Sequence, residues 1–394
     1  MKRQLEKILA ILLLFAFLIQ ATATTVSSTT GISNYNVSMI DTATNKFNAT
    51  INVGNEPFGV AVNPGGTKVY VTNQWENNIS VIEIATNTVK ATVPVGLNPH
   101  GVAVTPNGNK VYVTNSRDKN VSVIDTATNT VKATVKVGNS PFGVAVTPDG
   151  TKVYVANFWD DNVSVIDTAT NNVTATVKVG IGPWEVAVKQ DGTKVYVVNT
   201  YSNNVSVIDT ATNIVTATVK VGNGPMGIAV NSAGTKIYVA NSGSNTTYVI
   251  DTDKGSKSRS MGYVPHEGTD SISVIDTATN NVTATVKAGN NPFGVAVTPD
   301  GTKVYVTNNW DNTVSVIDTI TNKATVTVNV GREPRGIAVT PDGTKVYVGN
   351  IGNNNVSVID TATNKVIASV PIGNSPGSWG QFIVTAPVAP EKSH

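Results

Sequence analysis

Apolar and polar residues alternate in short runs along most of this chain. Residues 173–179 (VTATVKV) exchange Val or Ala with Thr or Lys at every step, the two-residue period of a half-buried strand. Just upstream, 143–146 (GVAV), 152–155 (KVYV) and 162–166 (NVSVI) read as three more strands. The TPDG stretch at 147–150 is a hairpin turn, because Pro presets φ and Gly accepts positive φ. DTATNN at 167–172 makes the turn into the fourth strand. The unit is therefore four short antiparallel strands.

That unit repeats. The phrase S-V-I-D places its acid at Asp41, Glu83, Asp125, Asp167, Asp209 and Asp251, then at Asp276, Asp318 and Asp360. Apart from the step between Asp251 and Asp276, the spacing is 42 residues. Y-V-x-N begins at Tyr70, Tyr112, Tyr154, Tyr196, Tyr238, Tyr305 and Tyr347, and P-x-[GE]-[VI]-A-V at Pro57, Pro99, Pro141, Pro183, Pro225, Pro292 and Pro334. Four strands per 42-residue repeat is the spacing of a β-propeller blade. The first strand, with Gly and Ala, suits a crowded axis. The next strands carry apolar groups on both faces, as a sheet packed between two neighbours requires. An open solenoid is the rival, and hairpin turns such as Pro-Asp-Gly oppose it.

The predicted fold is all-β: a propeller of four-stranded antiparallel blades, seven in number, with eight as the other count the repeats allow. Residues 36–53 supply the last two strands of a blade, with a weak second strand at 24–30. A first strand at 381–385 would join them in a composite closing blade. The gap of 25 residues between Asp251 and Asp276 marks a disrupted repeat, read as a surviving second- and third-strand pair (GYVP and SISVID) with an irregular insertion at 252–271.

Composition narrows the partners. Only 14% of the chain is charged, against a usual ~25%, and no long basic run offers a footprint for nucleic acid. Residues 1–23 read as a secretory signal: Lys2, Arg3 and Lys7, a 12-residue apolar run at 8–19, then Ala-Thr-Ala at 21–23. Cleavage there removes three basic residues and one acid, and the formal charge of +2 falls to zero. The apolar run is short for a membrane span, so no membrane insertion of the mature chain is expected. Cysteine is absent, leaving packing and ring closure to hold an exported protein. The domain reading is a signal at 1–23, one propeller at 24–385 and a polar tail at 386–394.

The Tyr-Val-Thr-Asn phrase at 70–73, 112–115 and 305–308, with its S-V-I-D-T-A-T-N runs, resembles the YVTN β-propeller repeats of archaeal surface-layer and cell-surface proteins. The resemblance covers nearly all of 36–385. It implies a seven-bladed ring displayed at, or released from, the cell surface.

Chemical variety falls on one face. After each repeat's Pro come Phe58, His100, Phe142, Trp184, Met226, Phe293 and Arg335; five residues after the Tyr come Trp75, Arg117, Trp159, Tyr201 and Trp310. These twelve form an aromatic-rich rim at the channel mouth, a candidate ligand surface, with rings that plug the mouth and seal adjacent blades as the plainer reading. Charges nearby include Glu56, Asp118, Asp160, Glu185 and Glu333. Three scattered histidines (His100, His266, His394), the lack of Cys and the lack of G-x-S-x-G leave no recognisable catalytic set; no metal and no cofactor is expected. Sequons stand at Asn36, Asn48, Asn78, Asn120, Asn162, Asn172, Asn204, Asn245, Asn281 and Asn355, candidate glycosylation sites on an exported chain. The leading expectation is a non-enzymatic surface scaffold or adhesion module, with cell-envelope proteins, polysaccharides or its own copies as partners. The alternative is an exported propeller enzyme of lactonase, lyase or quinone-linked oxidoreductase type.

Overall fold

The computed structural model describes residues 20–24, 34–42, 44–242, 247–249, 262–264, 270–372 and 379–380. Seven four-stranded antiparallel blades form the propeller, spanning 57–94, 99–136, 141–178, 183–220, 225–287, 292–329 and 334–371. Within each, the sequence-first strand lies innermost and the fourth outermost. Between blades seven and one sits a three-stranded sheet of Gln20–Thr24, Asn34–Asp41 and Lys46–Asn52. The weak strand expected at 24–30 thus lies at 20–24, where it overlaps the end of the expected signal. The C-terminal Trp379–Gly380 pairs in parallel with the inner strand of blade one; the strand expected at 381–385 and the tail at 386–394 lie outside the described residues.

The repeated phrases are packing instructions. In each complete blade the Tyr of Y-V-x-N is fully buried, and its Asn reaches across to the third strand: Asn115 Nδ2 donates to Asn120 Oδ1 (2.7 Å) and Ser122 Oγ (2.9 Å). The Asp of each DTATN turn caps its own loop. Asp167 Oδ1 accepts from the Thr170 N–H (2.7 Å) and hydroxyl (2.8 Å), which holds that carboxyl below its ordinary range. The turn Asn takes the left-handed conformation, as at Asn171 (φ 56°), which Asn tolerates better than other L residues.

Neighbouring blades are tied by the Lys opening each second strand. Lys68 Nζ donates to Thr126 O of the next blade (2.9 Å), Lys194 Nζ to Thr277 O (2.7 Å), and Lys345 Nζ to Thr42 O. With the Tyr347 hydroxyl on Asn45 Oδ1 (2.8 Å), that last contact closes the ring from blade seven onto the N-terminal sheet. One buried cluster unites Val37, Met39 and Ile40 with Val60 and Val71 of blade one and Val356 and Val358 of blade seven. Two open sheet faces are sealed by this arrangement.

The disrupted repeat resolves differently from the expectation. Strand Lys236–Asn241 pairs directly with Ser271–Asp276, so blade five is complete. Thr247–Val249 and Gly262–Val264 form a separate two-stranded sheet inserted between its second and third strands. The reason is one buried site. The third strand needs a small hydroxyl under the Y-V-x-N asparagine, and Asn241 Nδ2 finds Ser273 Oγ (3.0 Å). The upstream TYVID run offers Tyr248 at that place, too large for a position where Ser is 1–3% exposed in every complete blade.

Candidate functional site

The inner strands approach one another so closely that the residue after the variable position is Gly in six of seven blades. A Cβ on Gly143 would lie 2.6 Å from the Trp184 carbonyl oxygen, and one on Gly59, Gly101, Gly227 or Gly294 would meet the neighbouring blade's carbonyl just as tightly. In blades one, two and six the Thr of Y-V-T-N stitches this seam. Thr114 Oγ1 accepts from the Gly101 N–H (2.8 Å) and donates to Phe142 O (3.0 Å).

Blade four breaks the rule. Glu185 stands in the glycine ring, and Val198 replaces the stitching Thr. The sequence reading grouped Glu185 with rim charges; it belongs instead to the inner wall, half-buried within a channel otherwise lined by Gly, Val, Ile and Ala below the variable tier. Among the described inner strands it is the one titratable residue below the variable tier. Its carboxyl group accepts from the Ile228 N–H of blade five, and desolvation raises its pKa to about 8. Enclosed apolar walls with a narrow water-accessible face account for both the partial exposure and the large shift.

Above it lies an aromatic wall. His100 stacks at 4.2 Å from Phe58 and 4.7 Å from Phe142 (centroids), and Phe142 lies 4.8 Å from Trp184. The wall continues through Phe158, 5.7 Å from Trp184, to Trp159 (4.7 Å) and Tyr201 (5.2 Å). Phe158 was missed by the sequence reading, although it is the one aromatic residue directly after a Y-V-x-N phrase. Blades one to four thus bring together Phe58, His100, Phe142, Trp159, Trp184 and Tyr201. Across the mouth, the exposed Arg335 lays its guanidinium over Phe293 at 5.5 Å, and Met226 is half-buried. Trp75 and Trp310 stand apart at 68% and 56% exposure, and Arg117 is exposed on its loop.

His100 is buried, its Nδ1 has no hydrogen-bond partner among the described residues, and desolvation lowers its pKa to about 3. It is a neutral imidazole and a weak base. Several loop acids serve structure: Asp118 Oδ2 accepts from the Leu97 N–H (2.7 Å), and Asp160 Oδ2 from the Asn139 N–H (2.8 Å). Among the sequons, Asn36 is 3% exposed and cannot carry a glycan, a correction to that expectation. Asn78, Asn120, Asn162, Asn204 and Asn355 are half-buried strand-opening residues whose amide oxygens accept from the neighbouring buried Asn. Asn48, Asn172 and Asn281 are exposed on outer strands. Asn245, His266 and His394 lie outside the described residues.

Three family models match segments of the chain: a YNCE-like beta-propeller over 103–193, the cytochrome D1 heme domain over 256–391, and a seven-bladed beta-propeller lactonase over 20–143. Each spans less than half of the chain. No curated protein matches. Among solved structures, the chain is similar to Kuenenia stuttgartiensis hydrazine synthase, at 24% identity and TM-score 0.59, over 79% of this chain and 97% of that one. It is similar to the dihydro-heme d1 dehydrogenase NirN in complex with DHE, at 15% identity and TM-score 0.73, over 92% and 74%. A protein of unknown function from Desulfotomaculum acetoxidans aligns at 17% identity and TM-score 0.60, over 81% and 98%. At such identities the structures share the fold.

These matches correct two expectations. The surface-layer, archaeal-type YVTN assignment is overturned, because the matched models are YNCE-like, lactonase and heme-domain propellers. The physical reason lies in the motif: its buried Tyr and cross-strand Asn are blade-packing residues, so the phrase reports how a blade folds rather than which surface displays it. The purely structural, non-enzymatic reading falls with it, and the family-model matches favour an enzymatic propeller.

Proposed function

We propose that this chain is an exported propeller enzyme whose reacting group is Glu185, acting as general acid in the hydrolysis of a small cyclic ester of the lactone class. The observation that carries the reading is a carboxyl in a ring position that glycine fills in the other six blades. With its pKa raised to about 8, the acid is protonated at neutral pH, the state a proton donor needs. The match to the lactonase model supports the substrate class, and the basic head and apolar run at the N-terminus support export.

In this reading the flat face of the substrate lies against Trp184 and Phe142, which exclude water from one side. The oxygen of a water molecule adds to the carbonyl carbon, and the ring C–O bond breaks. The Glu185 proton goes to the departing ring oxygen, and a proton from the attacking water restores the acid. Glu185 ends as it began.

The heme-domain match raises the question of a macrocycle at the same mouth. The residues present do not fit one. The matched segment, 256–391, excludes the aromatic wall. The wall's rings already pack against one another, and the sole imidazole among the described residues has its Nδ1 sealed within them.

The test is a panel of γ- and δ-lactones followed by pH-stat titration. The wild type is expected to turn over at least one member, with a rate that falls as pH rises through about 8. Glu185→Gly restores the repeat consensus and should fold; it should lose turnover at least 100-fold, as should Glu185→Gln. Undiminished hydrolysis by Glu185→Gly, or no turnover of any lactone by the wild type, refutes the proposal.

A further inference from the structure

A second recess lies on the mouth face, outside the aromatic wall, at the outer seam between blades five and six. It has a volume of about 490 Å³ and is lined by Lys287, Gly289, Asp311, Thr313 and Thr327, with Ala324 at its apolar side. That size falls within the roughly 300–1,000 Å³ usual for small-molecule sites.

The recess exists because blade six is smaller than its siblings at two places. Position 324 is Ala where the other six complete blades have Val (Val89, Val131, Val173, Val215, Val282, Val366). Position 313 is Thr where five of the other six have Asn and blade five has Ser271. The missing atoms would otherwise project into this seam, since the Val at this place packs toward the preceding blade, as Val215 does on blade three and Val282 on blade four.

Trp310, 56% exposed, directly precedes the lining residue Asp311. Its backbone N–H donates to Asn290 O (3.3 Å), which fixes its loop against the lip formed by 288–290. The next residue, Asp311, is held open toward the recess: its Oδ2 accepts from the Asn290 N–H (2.8 Å) and its Oδ1 from the Asn290 side chain (2.6 Å). Those bonds leave the carboxylate further lone pairs.

We infer that this recess is a saccharide-binding subsite for a pyranose unit, separate from the Glu185 centre. An exposed indole offers a flat apolar platform to the C–H face of a sugar ring. A positioned carboxylate accepts from adjacent hydroxyls, and the Lys287 ammonium and Thr327 hydroxyl supply the complementary donors. Blade one supplies an internal control. Trp75 is more exposed than Trp310 and is likewise followed by an acid, Glu76, but Asn78 and Val89 occupy the corresponding seam. The platform is present there without the recess.

The experiment titrates the protein with cellobiose, N,N′-diacetylchitobiose and methyl α-mannoside, read by tryptophan fluorescence and by calorimetry. The wild type should bind at least one of the three. Trp310→Ala should weaken that binding at least tenfold, and Trp75→Ala should leave it unchanged. Thr313→Asn and Ala324→Val, which restore residues that sibling blades already carry, should fold normally and abolish binding by filling the space. Saccharide binding that survives both filling substitutions, binding lost equally with Trp75→Ala, or no binding of any of the three sugars by the wild type overturns the inference. Lactone hydrolysis, measured in parallel, should be unaffected by Ala324→Val, so failure of this subsite and failure of the Glu185 reading are separable.

Discussion

Replacing Glu185 with Gln should change how stability depends on pH more than it changes stability itself. The side chains are nearly isosteric, so packing in the glycine ring is preserved while the ionisable proton is removed. In the folded protein Glu185 holds its proton up to about pH 8, against an ordinary value of 4.5. The unfolded chain therefore binds fewer protons across that interval, and stability contributed by the protonated acid is full below pH 4.5 and lost as pH rises through 8. The interval corresponds to a ceiling of about 5 kcal/mol. The side chain is only half-buried, so solvent screens the charged form, which brings the expected loss to about 2–4 kcal/mol.

His100 works in the opposite direction. Its pKa falls from 6.5 to about 3 on folding, so the unfolded chain takes up a proton that the folded one refuses, and stability falls as pH drops from 6.5 toward 3. Between 4.5 and 6.5 the two slopes oppose each other, and the wild-type curve should be nearly flat there before declining toward pH 8. Urea unfolding of wild type, Glu185→Gln and His100→Phe at pH 4 to 9 separates them. Phe already occupies the position of His100 in blades one, three and six, so that variant should pack. The wild type and Glu185→Gln should match near pH 4 and diverge by about 2–4 kcal/mol at pH 9. A difference that stays constant across the series would falsify the enclosed, neutral carboxyl.

Thr114→Val removes the stitch between Gly101 N–H and Phe142 O and should cost about 1–3 kcal/mol by leaving buried backbone groups unpaired, measured by denaturant unfolding. Tyr347→Phe breaks the closing bond to Asn45 and should cost about 1 kcal/mol, with amide exchange rising in 36–52 before other blades. Expressed in a glycosylating host, the protein should yield glycopeptides at exposed Asn172 and Asn281 and none at buried Asn36, as read by mass spectrometry.

Much of the architecture is local and could be read along the chain. Alternation in VTATVKV, the Pro-Asp-Gly and Asp-Thr-Ala-Thr-Asn turns, and the 42-residue recurrence each depend on neighbours within a few residues, so strands, hairpins and blade order follow from them. The loop face is readable for the same reason: Phe58, His100, Phe142, Trp159, Trp184 and Tyr201 share one run of ring contacts and Arg335 lies over Phe293, while Trp75, Arg117 and Trp310 stand exposed outside it. The partner of Lys236–Asn241 was not legible, because two S-V-I-D-like runs compete and only the buried space under Asn241, which admits Ser273, decides between them. Glu185 carries the same lesson. In the sequence it is one acid among many near the variable face. Only seven strands converging on an axis turn its position into a glycine ring, and the apolar wall they build is what keeps its proton. Residue order sets what each blade is; the packing of blades around a shared channel sets which residues are forced together, deprived of water and made chemically distinct.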